Sequence, residues 1–364
     1  MTAYINNHPD FRCSRDHLAD RLATVSHRQG RLIGRMESLG FALRAEAVLQ
    51  TITEDVLKSS EIEGEFRDKA QVRSSIARRL GLDIGGLIPA ERDVEGVVEM
   101  VLDATQNFAA PLTAERLFDW HAALFPTGRR GMSGIIVGAW RDDRTDPMQV
   151  VSGPLGRERV HYEAPAAERL DCEMRALLDW YNGGQEIDPV MKAGLAHLWF
   201  VTIHPFDDGN GRVARAIADM ALARADGSAQ RFYSMSAQIH RDRKAYYDTL
   251  EANQKGDLDV TLWLPWFLRC LGCAVDNAER MLAPIFRKAH FWERCVDVSL
   301  NPRQRDMVKR LLDGFVSKLT SSKWAVLTKC SQDTALRDID GLIASGVLIK
   351  DAAGGRSTSY ALAE

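Results

Sequence analysis

Two helix-forming runs joined by a loop constrain this chain more than any other feature. Met191 to Val201 is apolar enough to form a buried helix. Pro205 and Gly209 then break the pattern and impose a tight loop. After Gly211 a second helical pattern begins, from Arg212 to about Arg224, rich in Ala, Ile, Met and Leu. The junction reads His204-Pro205-Phe206-Asp207-Asp208-Gly209-Asn210-Gly211-Arg212-Val213-Ala214-Arg215.

The side chains of that junction suit chemistry on a polyphosphate. A Gly-Asn-Gly loop feeding a helix N-terminus gathers backbone N–H groups at one spot, and the helix dipole adds positive potential there. Arg212 and Arg215 are i,i+3 neighbours and can share the face beside that spot. Their guanidinium forks hold phosphate oxygens bidentately. Asp208 is a hard oxygen donor of the kind that holds Mg²⁺ whose other ligands are phosphates and water. His204 has an ordinary pKa of about 6.5, so it can take a proton from a hydroxyl nucleophile near neutrality. Together these groups imply phosphoryl or nucleotidyl transfer.

Other readings of the same residues are weaker. His197, on the apolar run, reads as a core histidine. The Asp-Asp-Gly-Asn-Gly stretch lacks the late bidentate Glu of an EF-hand, with Asp219 the nearest acid. The chain has no Walker A sequence and no strand-linked G-x-G-x-x-G.

His204 to Arg215 resembles the HxFx[D/E]GNGRxxR signature of the Fic family without a departure. That resemblance implies a helical domain that transfers AMP, or less often another phosphate-containing group, from a nucleotide to a protein hydroxyl. It casts His204 as general base toward a target Tyr, Thr or Ser, Phe206 as the loop's core anchor and Asp208 as the Mg²⁺ ligand. Gly209, Asn210 and Gly211 would cradle the α- and β-phosphates of ATP with Arg212 beside them, and Arg215 would receive the γ-phosphate. Tyr246-Tyr247 and Gln254 resemble the region that lines the nucleotide-base pocket, although aromatic residues at helical spacing are also ordinary core. Arg157 to Tyr162, including Arg159, Val160 and His161, stands where the family carries a β-hairpin flap that positions the target by main-chain contacts. An ordinary surface hairpin would read the same way.

A second motif qualifies the first. Ser59-x-x-x-Glu63-Gly64 resembles the [S/T]xxxE[G/N] inhibitory motif of autoinhibited members of the family. Ser59 and Glu63 are i,i+4 on one helix face, and Gly64 is a natural residue to end that helix. A carboxylate in the last helical turn opposes the macrodipole at a cost of about 0.3–1 kcal/mol unless a cation answers it. Arg215 is the obvious cation, so Glu63 is expected to occupy the donor meant for the γ-phosphate and to misalign bound ATP. Leu39-Gly40-Phe41 and the run from Ile62 to Leu82 resemble the N-terminal helical region of bacterial members whose inhibitory helix precedes the core.

Composition bounds the rest. The chain has 364 residues, a net charge of −3 and 27% charged residues, so no global basic field advertises nucleic-acid binding. Met1 to Pro9 lacks a secretory apolar region, and Val260 to Leu268 is too short to span a membrane. The six cysteines form no disulfide framework, and Cys270-x-x-Cys273 reads as small hydrophobes on a helix. These features predict a cytoplasmic protein without a membrane partner.

The expected fold is mainly α: an N-terminal helical region over 1–88, a Fic-type core with a hairpin flap over 89–295, and a small C-terminal domain over 300–364. Helices are expected at 90–108, 112–124, 170–180, 241–254 and 260–281, with short β-type pieces at Ile135-Ile136-Val137 and Arg159 to Tyr162. In the last segment Asn301-Pro302, a helix from Arg303, a short helix after Leu319, a helix capped by Ser331 and two strands flanking Asp351 to Arg356 resemble a winged helix-turn-helix. As a DNA reader it would present Ser331 to Arg337 to the major groove and Arg356 to the backbone or minor groove. Ten Lys/Arg against seven Asp/Glu is a thin excess for that task, and such modules also bind proteins. The leading expectation is an autoinhibited protein adenylyltransferase, acting on itself or on a target protein; homodimers are frequent in the family. The alternatives are a DNA-binding regulator that uses the domain as a nucleotide sensor, and a Glu63-dependent removal of AMP from a modified target.

Overall fold

The computed structural model describes residues 11–13, 16–130, 133–142, 147–153, 157–184, 187–256, 258–315, 317–351 and 358–363. The chain divides into two compact units, Met1–Met281 and Leu282–Glu364.

The first unit begins with α1 (Asp16–Glu37), α2 (Phe41–Ile62), α3 (Lys69–Arg79), α4 (Arg92–Gln106) and α5 (Ala114–Leu124). Two short hairpins follow, β1 (Arg129–Arg130) with β2 (Ser133–Gly134), and β3 (Gln149–Ser152) with β4 (Arg159–Glu163). The chain then runs through α6 (Leu170–Asn182), α7 (Pro189–Ile203), α8 (Asn210–Asp226), α9 (Met235–Arg241), α10 (Arg243–Gln254) and α11 (Trp263–Arg294). Residues of α11 up to Met281 belong to this unit.

The apolar run read from the sequence is α7, and nearly all of it is buried. Asp188 caps it, accepting from Val190 N at 2.8 Å, and Pro189 sits at the first helical position where no N–H is needed. Helix α8 lies at the centre, against α2, α4, α5, α7 and α9, and nearly all of it is buried: Val213, Ala214, Ile217, Met220 and Leu222 have no exposed surface. Behind α7 an aromatic cluster sets the core. Trp263 has no exposed surface, donates from Nε1 to the Gly194 carbonyl at 2.7 Å, and packs against His197, Tyr246, Trp266 and Phe267.

Most expected helices appear within a few residues of their predicted bounds; α11 runs on past Met281 to Arg294. Ile135-Ile136-Val137 is not a strand. The Ile136 N–H donates to the Asp207 carboxylate at 2.7 Å, so its hydrogen bond goes to the α7–α8 loop instead of a ladder. The hairpin of β3 and β4 is antiparallel, pairs Val151 with Val160, and shifts register between Val150 and Val151.

The second unit contains the end of α11 with α12 (Pro302–Leu312), α13 (Ser321–Thr328), α14 (Gln332–Ala344) and an antiparallel pair, β5 (Leu348–Lys350) with β6 (Tyr360–Leu362). Its core is built on Trp324, Met307, Val308, Ile339 and Val347. Asn301 and Gln304 form a reciprocal capping box at the start of α12, and Arg303 holds Asp338 of α14 through two hydrogen bonds of 2.8 and 3.1 Å. Ser331 caps α14 by accepting from Thr334 N. The turn between β5 and β6, with Arg356, lies outside the described residues. Among the described residues no helix is long and apolar enough to cross a membrane, and all six cysteines are free.

The aromatic cluster yields a stability prediction. Trp263→Ala removes a fully buried ring together with its hydrogen bond to the Gly194 carbonyl, and should cost about 3–5 kcal/mol in denaturant unfolding followed by circular dichroism. A loss below about 1 kcal/mol would show that the ring is not part of the core.

Candidate active site

The site assembles where α7 stops and α8 starts. His204 caps α7 in the left-handed conformation (φ 53°, ψ 55°), which turns the chain out of the helix within one residue. Non-glycine residues seldom take this conformation, and surrounding bonds must hold it. Arg141, only 3% exposed, supplies them: Nε donates to the His204 carbonyl at 2.9 Å, Nη2 to the Pro165 carbonyl, and its backbone N–H to the Pro205 carbonyl at 2.9 Å. Asn210 closes the loop from inside, accepting from Phe206 N at 3.0 Å and donating to Phe206 O at 2.7 Å. Phe206 is fully buried and stacks on His121, ring centroids 4.1 Å apart and planes within 5°. His121 in turn donates from Nε2 to the Asp208 carbonyl at 3.2 Å. Burial lowers the His121 pKa to about 4, keeping the ring neutral against Phe206.

These ties set the tautomer of His204. Its Nδ1 lies 3.2 Å from the Val201 carbonyl, and a carbonyl can only accept, so Nδ1 carries the proton. Nε2 then keeps its lone pair for a substrate proton. Burial, with the Arg141 charge, lowers the His204 pKa below the ordinary histidine range and outweighs the opposing pull of Val201 O, Glu63 and Asp208. The ring is therefore a neutral base at neutral pH.

Helix α8 presents its positive end to the same space. Gly209 precedes it at φ 80°, and the first-turn N–H groups have no intrahelical acceptor. The Glu63 carboxylate fills the position an anion would take: a Cβ added at Gly211 would fall 2.2 Å from Glu63 Oε1. A side chain at 211 would therefore push the Glu63 carboxylate from its place. Glu63 caps the C-terminus of α2, followed by Gly64 at φ 80°. Arg215 answers both ends of that turn. Its Nη2 donates to Glu63 Oε1 at 2.8 Å and to the Ser59 carbonyl at 2.9 Å, while Nε donates to Ser59 Oγ at 2.9 Å. Burial alone would raise the Glu63 pKa, but Arg215, with Arg212 and Arg243, brings it below the usual carboxylate range. Glu63 therefore stays ionised at neutral pH.

Arg212 and Arg215 are 1% and 2% exposed, and Arg212 lies over the Phe125 ring at 5.0 Å. Arg215 Nη1 and Arg212 Nε are buried without a hydrogen-bond partner among the described residues. Two cations with spare donors beside a helix N-terminus match an anionic ligand richer in oxygens than one carboxylate. Asp208 accepts from Gly209 N at 2.7 Å through Oδ1, and no group of three or more His, Cys, Asp or Glu suited to a metal occurs among the described residues. A divalent cation held by Asp208 would thus complete its shell from phosphate and water, a donor set that fits Mg²⁺.

Tyr247 and Gln254, both expected at the nucleotide-base pocket, lie two turns apart on one face of α10. They stand seven residues apart on α10, about 10 Å along the axis. Tyr247, under Arg243 and against Tyr246, feels the field of Glu63, which adds to burial in raising its pKa. Gln254 Nε2 instead donates to the Val201 carbonyl at 3.4 Å, the acceptor that also orients His204. His197 is core, bonded through Nε2 to the Tyr246 hydroxyl at 2.9 Å.

The β3–β4 hairpin is fastened to α10 by Glu251. Arg159 donates to Glu251 Oε1 at 2.8 Å, and His161 Nδ1 lies 2.6 Å from Oε2. Val151 and Val160, a cross-strand pair, are about half exposed at 48% and 46%. Sequence reasoning missed Arg141, His121, Asp207, Glu251 and Glu65. Asp207 stands inside the signature at a position it leaves open; the others act across a large sequence separation with no fixed spacing to it. Of those, only Glu65, two residues beyond Glu63, carried a positional hint.

Comparison with known proteins agrees with the geometry. Residues 111–222 match the model of the Fic/DOC family, so that stretch of the chain is a Fic domain. Residues 4–82 match a model described as a domain of unknown function (DUF4172). A protein adenylyltransferase Fic from Aedes aegypti is 29% identical over 219 residues, covering 58% of this chain and 38% of that protein. The namesake from Drosophila willistoni is 25% identical over 263 residues, 69% of this chain and 48% of its own length. The chain thus spans less than half of these curated relatives. A crystal structure of a Fic family protein from Desulfovibrio desulfuricans G20 shares the fold with a TM-score of 0.58 at 20% identity, over 94% of this chain and 95% of that one.

The loop makes a prediction of its own. Arg141→Ala strips buried donors from the His204 and Pro165 carbonyls and should destabilise the protein by about 2–5 kcal/mol in denaturant titration, well beyond the cost of an ordinary surface arginine.

Proposed function

We propose that this chain is a protein adenylyltransferase that moves AMP from ATP to a Tyr, Thr or Ser hydroxyl of a target protein or of itself, and that Glu63 holds it off. The observation that carries this reading is the 2.8 Å pair of Glu63 with Arg215 at the positive end of α8, beside a neutral histidine with a free Nε2.

In the active arrangement Glu63 leaves, and the polyphosphate takes its place against Gly209, Asn210 and Gly211 with Arg212 and Arg215 as cationic donors. His204 Nε2 accepts the proton of the target hydroxyl as its oxygen attacks the α-phosphorus. The new O–P bond forms as the bond to the β-phosphate oxygen breaks, and pyrophosphate departs. Mg²⁺ held by Asp208 and the phosphates would offset charge developing on the leaving group. The exposed β3–β4 hairpin, with Arg159, Val160 and His161, suits an extended target segment laid along its edge. With Glu63 in place Arg215 Nη2 is already engaged where a γ-phosphate would bind, and ATP is displaced from in-line geometry. A cytoplasmic setting and a homodimeric state accompany this reading as proposals.

Self-labelling with α-labelled ATP and Mg²⁺ tests it. Glu63→Gly should raise labelling by roughly 10²-fold or more, and mass spectrometry should show an AMP adduct. His204→Ala in the Glu63→Gly background should abolish the signal. Equal, low labelling of wild type and Glu63→Gly would refute the inhibitory role, and labelling without His204 would remove it as base.

The pH dependence follows from the sign of the His204 shift. A base works when deprotonated, above its pKa, and burial lowers that pKa below 6.5. The labelling rate of Glu63→Gly should therefore be flat through neutrality and fall only on an acid limb below about pH 6.5. A midpoint at or above 7 would contradict the lowered pKa.

A further inference from the structure

The segment that carries Glu63 is tied down by charges that belong neither to the loop signature nor to the inhibitory motif. Past Gly64, Glu65 turns its carboxylate to the other arginine of the site: Arg212 Nη1 donates to Glu65 Oε2 at 2.8 Å. The same oxygen accepts from Arg67 Nη2 at 2.5 Å, and Arg67 Nη1 pairs with Asp93 in the first turn of α4. Asp93, Arg67, Glu65 and Arg212 thus form a chain of alternating charge from α4 to α8. It meets the backbone two residues from Glu63.

We propose that Glu65, Arg67 and Asp93 are positioning residues that strap the Glu63 segment across the site, so that inhibition is set by this charge chain as well as by the Glu63–Arg215 pair. The proposal rests on the adenylyl-transfer reading for one of its two readouts.

The local structure shows why a strap is needed. Glu63 lies past the last residue of α2, its side chain is 30% exposed, and the next residue is a glycine. Backbone bonds from Glu63 N and Glu65 N to Ser60 O and from Gly64 N to Glu61 O close the helix end. They do not fix the segment against α4 or α8, and helix ends fray at little cost. The first side-chain ties to other elements beyond Glu63 are Glu65 to α8 and Arg67 to α4. Arg67 is only 12% exposed, so its two carboxylate partners are held in a fixed relation.

Glu65 also serves Arg212, whose buried guanidinium needs a counter-charge while no phosphate is present. The two carboxylates, separated by one glycine, pair with the two arginines that a polyphosphate would otherwise engage. A phosphate oxygen reaching Arg212 would compete with Glu65, and loosening Glu65 loosens Glu63. Displacement of the strap is thus coupled to entry of the nucleotide.

Two variants in the full chain test this without touching the loop signature or Glu63. Arg67→Ala and Asp93→Asn should each raise self-labelling over wild type by roughly three- to tenfold, below the level of Glu63→Gly, because partly exposed ion pairs contribute modestly. In the Glu63→Gly background any rise should be clearly smaller, since the strap acts chiefly through Glu63 and only the Glu65–Arg212 competition remains. No rise in either single variant, or the same rise with and without Glu63, would overturn the proposal. Hydrogen–deuterium exchange across residues 63–67 gives a readout independent of transfer: it should quicken in both variants, with α7 and α8 unchanged. Unchanged exchange at 63–67 would overturn the strap. Quickened exchange with no labelling in Glu63→Gly would leave the strap standing and reject the transfer reading. Asp93→Asn, nearly isosteric and 39% exposed, guards against a fold defect in Arg67→Ala.

Discussion

Everything at this site depends on where the buried charge of Arg215 finds its partner. A guanidinium 2% exposed in the middle of a helical core cannot remain unpaired, because transfer from water costs far more than the fold's margin of stability. In the arrangement seen here α2 answers it with the Ser59 hydroxyl, the Ser59 carbonyl and the Glu63 carboxylate. A polyphosphate could answer it equally well. The electrostatic requirement that joins α2 to α8 is thus one that an anionic ligand would also meet.

The loop between α7 and α8 is rigid for a different reason. Its backbone leaves the helix through a left-handed histidine, a conformation that persists only where neighbours over-determine it. Arg141 binds the outgoing carbonyls, Asn210 brackets Phe206, and Phe206 is clamped on His121. The consequence is chemical: with Nδ1 committed to Val201 O and the ring desolvated, His204 is presented as a neutral base with one usable nitrogen. Rigidity here comes from long-range hydrogen bonds to backbone carbonyls, which no local pattern encodes.

Much of the fold was legible because its signals are local. The capped, apolar α7, the glycine turn, the helical run of α8 and the end of α2 at Gly64 follow from periodicity, capping and left-handed propensity within a few residues. Ile135 to Val137 misled for an instructive reason. Three β-branched residues favour extension, but extension becomes a strand only when a partner offers a ladder, and Ile136 found the Asp207 carboxylate instead. Tyr247 and Gln254, grouped by the family resemblance, touch different neighbours along one face of α10: Tyr247 lies in the field of Glu63 and Gln254 donates to the Val201 carbonyl.

The sequence by itself determined the chemistry available: a base, a carboxylate, an anion-binding helix start and two arginines within one junction, with a second carboxylate at the end of an earlier helix. Those are properties of spacing and residue type, and they survive any packing that keeps the helices. Only the tertiary structure decided the pairing. That Glu63 reaches Arg215, that Glu65 reaches Arg212, and that Arg67 and Asp93 anchor the segment between them depends on α2 and α4 packing against α8. Such contacts join residues about 150 positions apart, 152 for Glu63 and 147 for Glu65. The packing of whole helix faces sets those distances, and no spacing rule along the chain reaches that far.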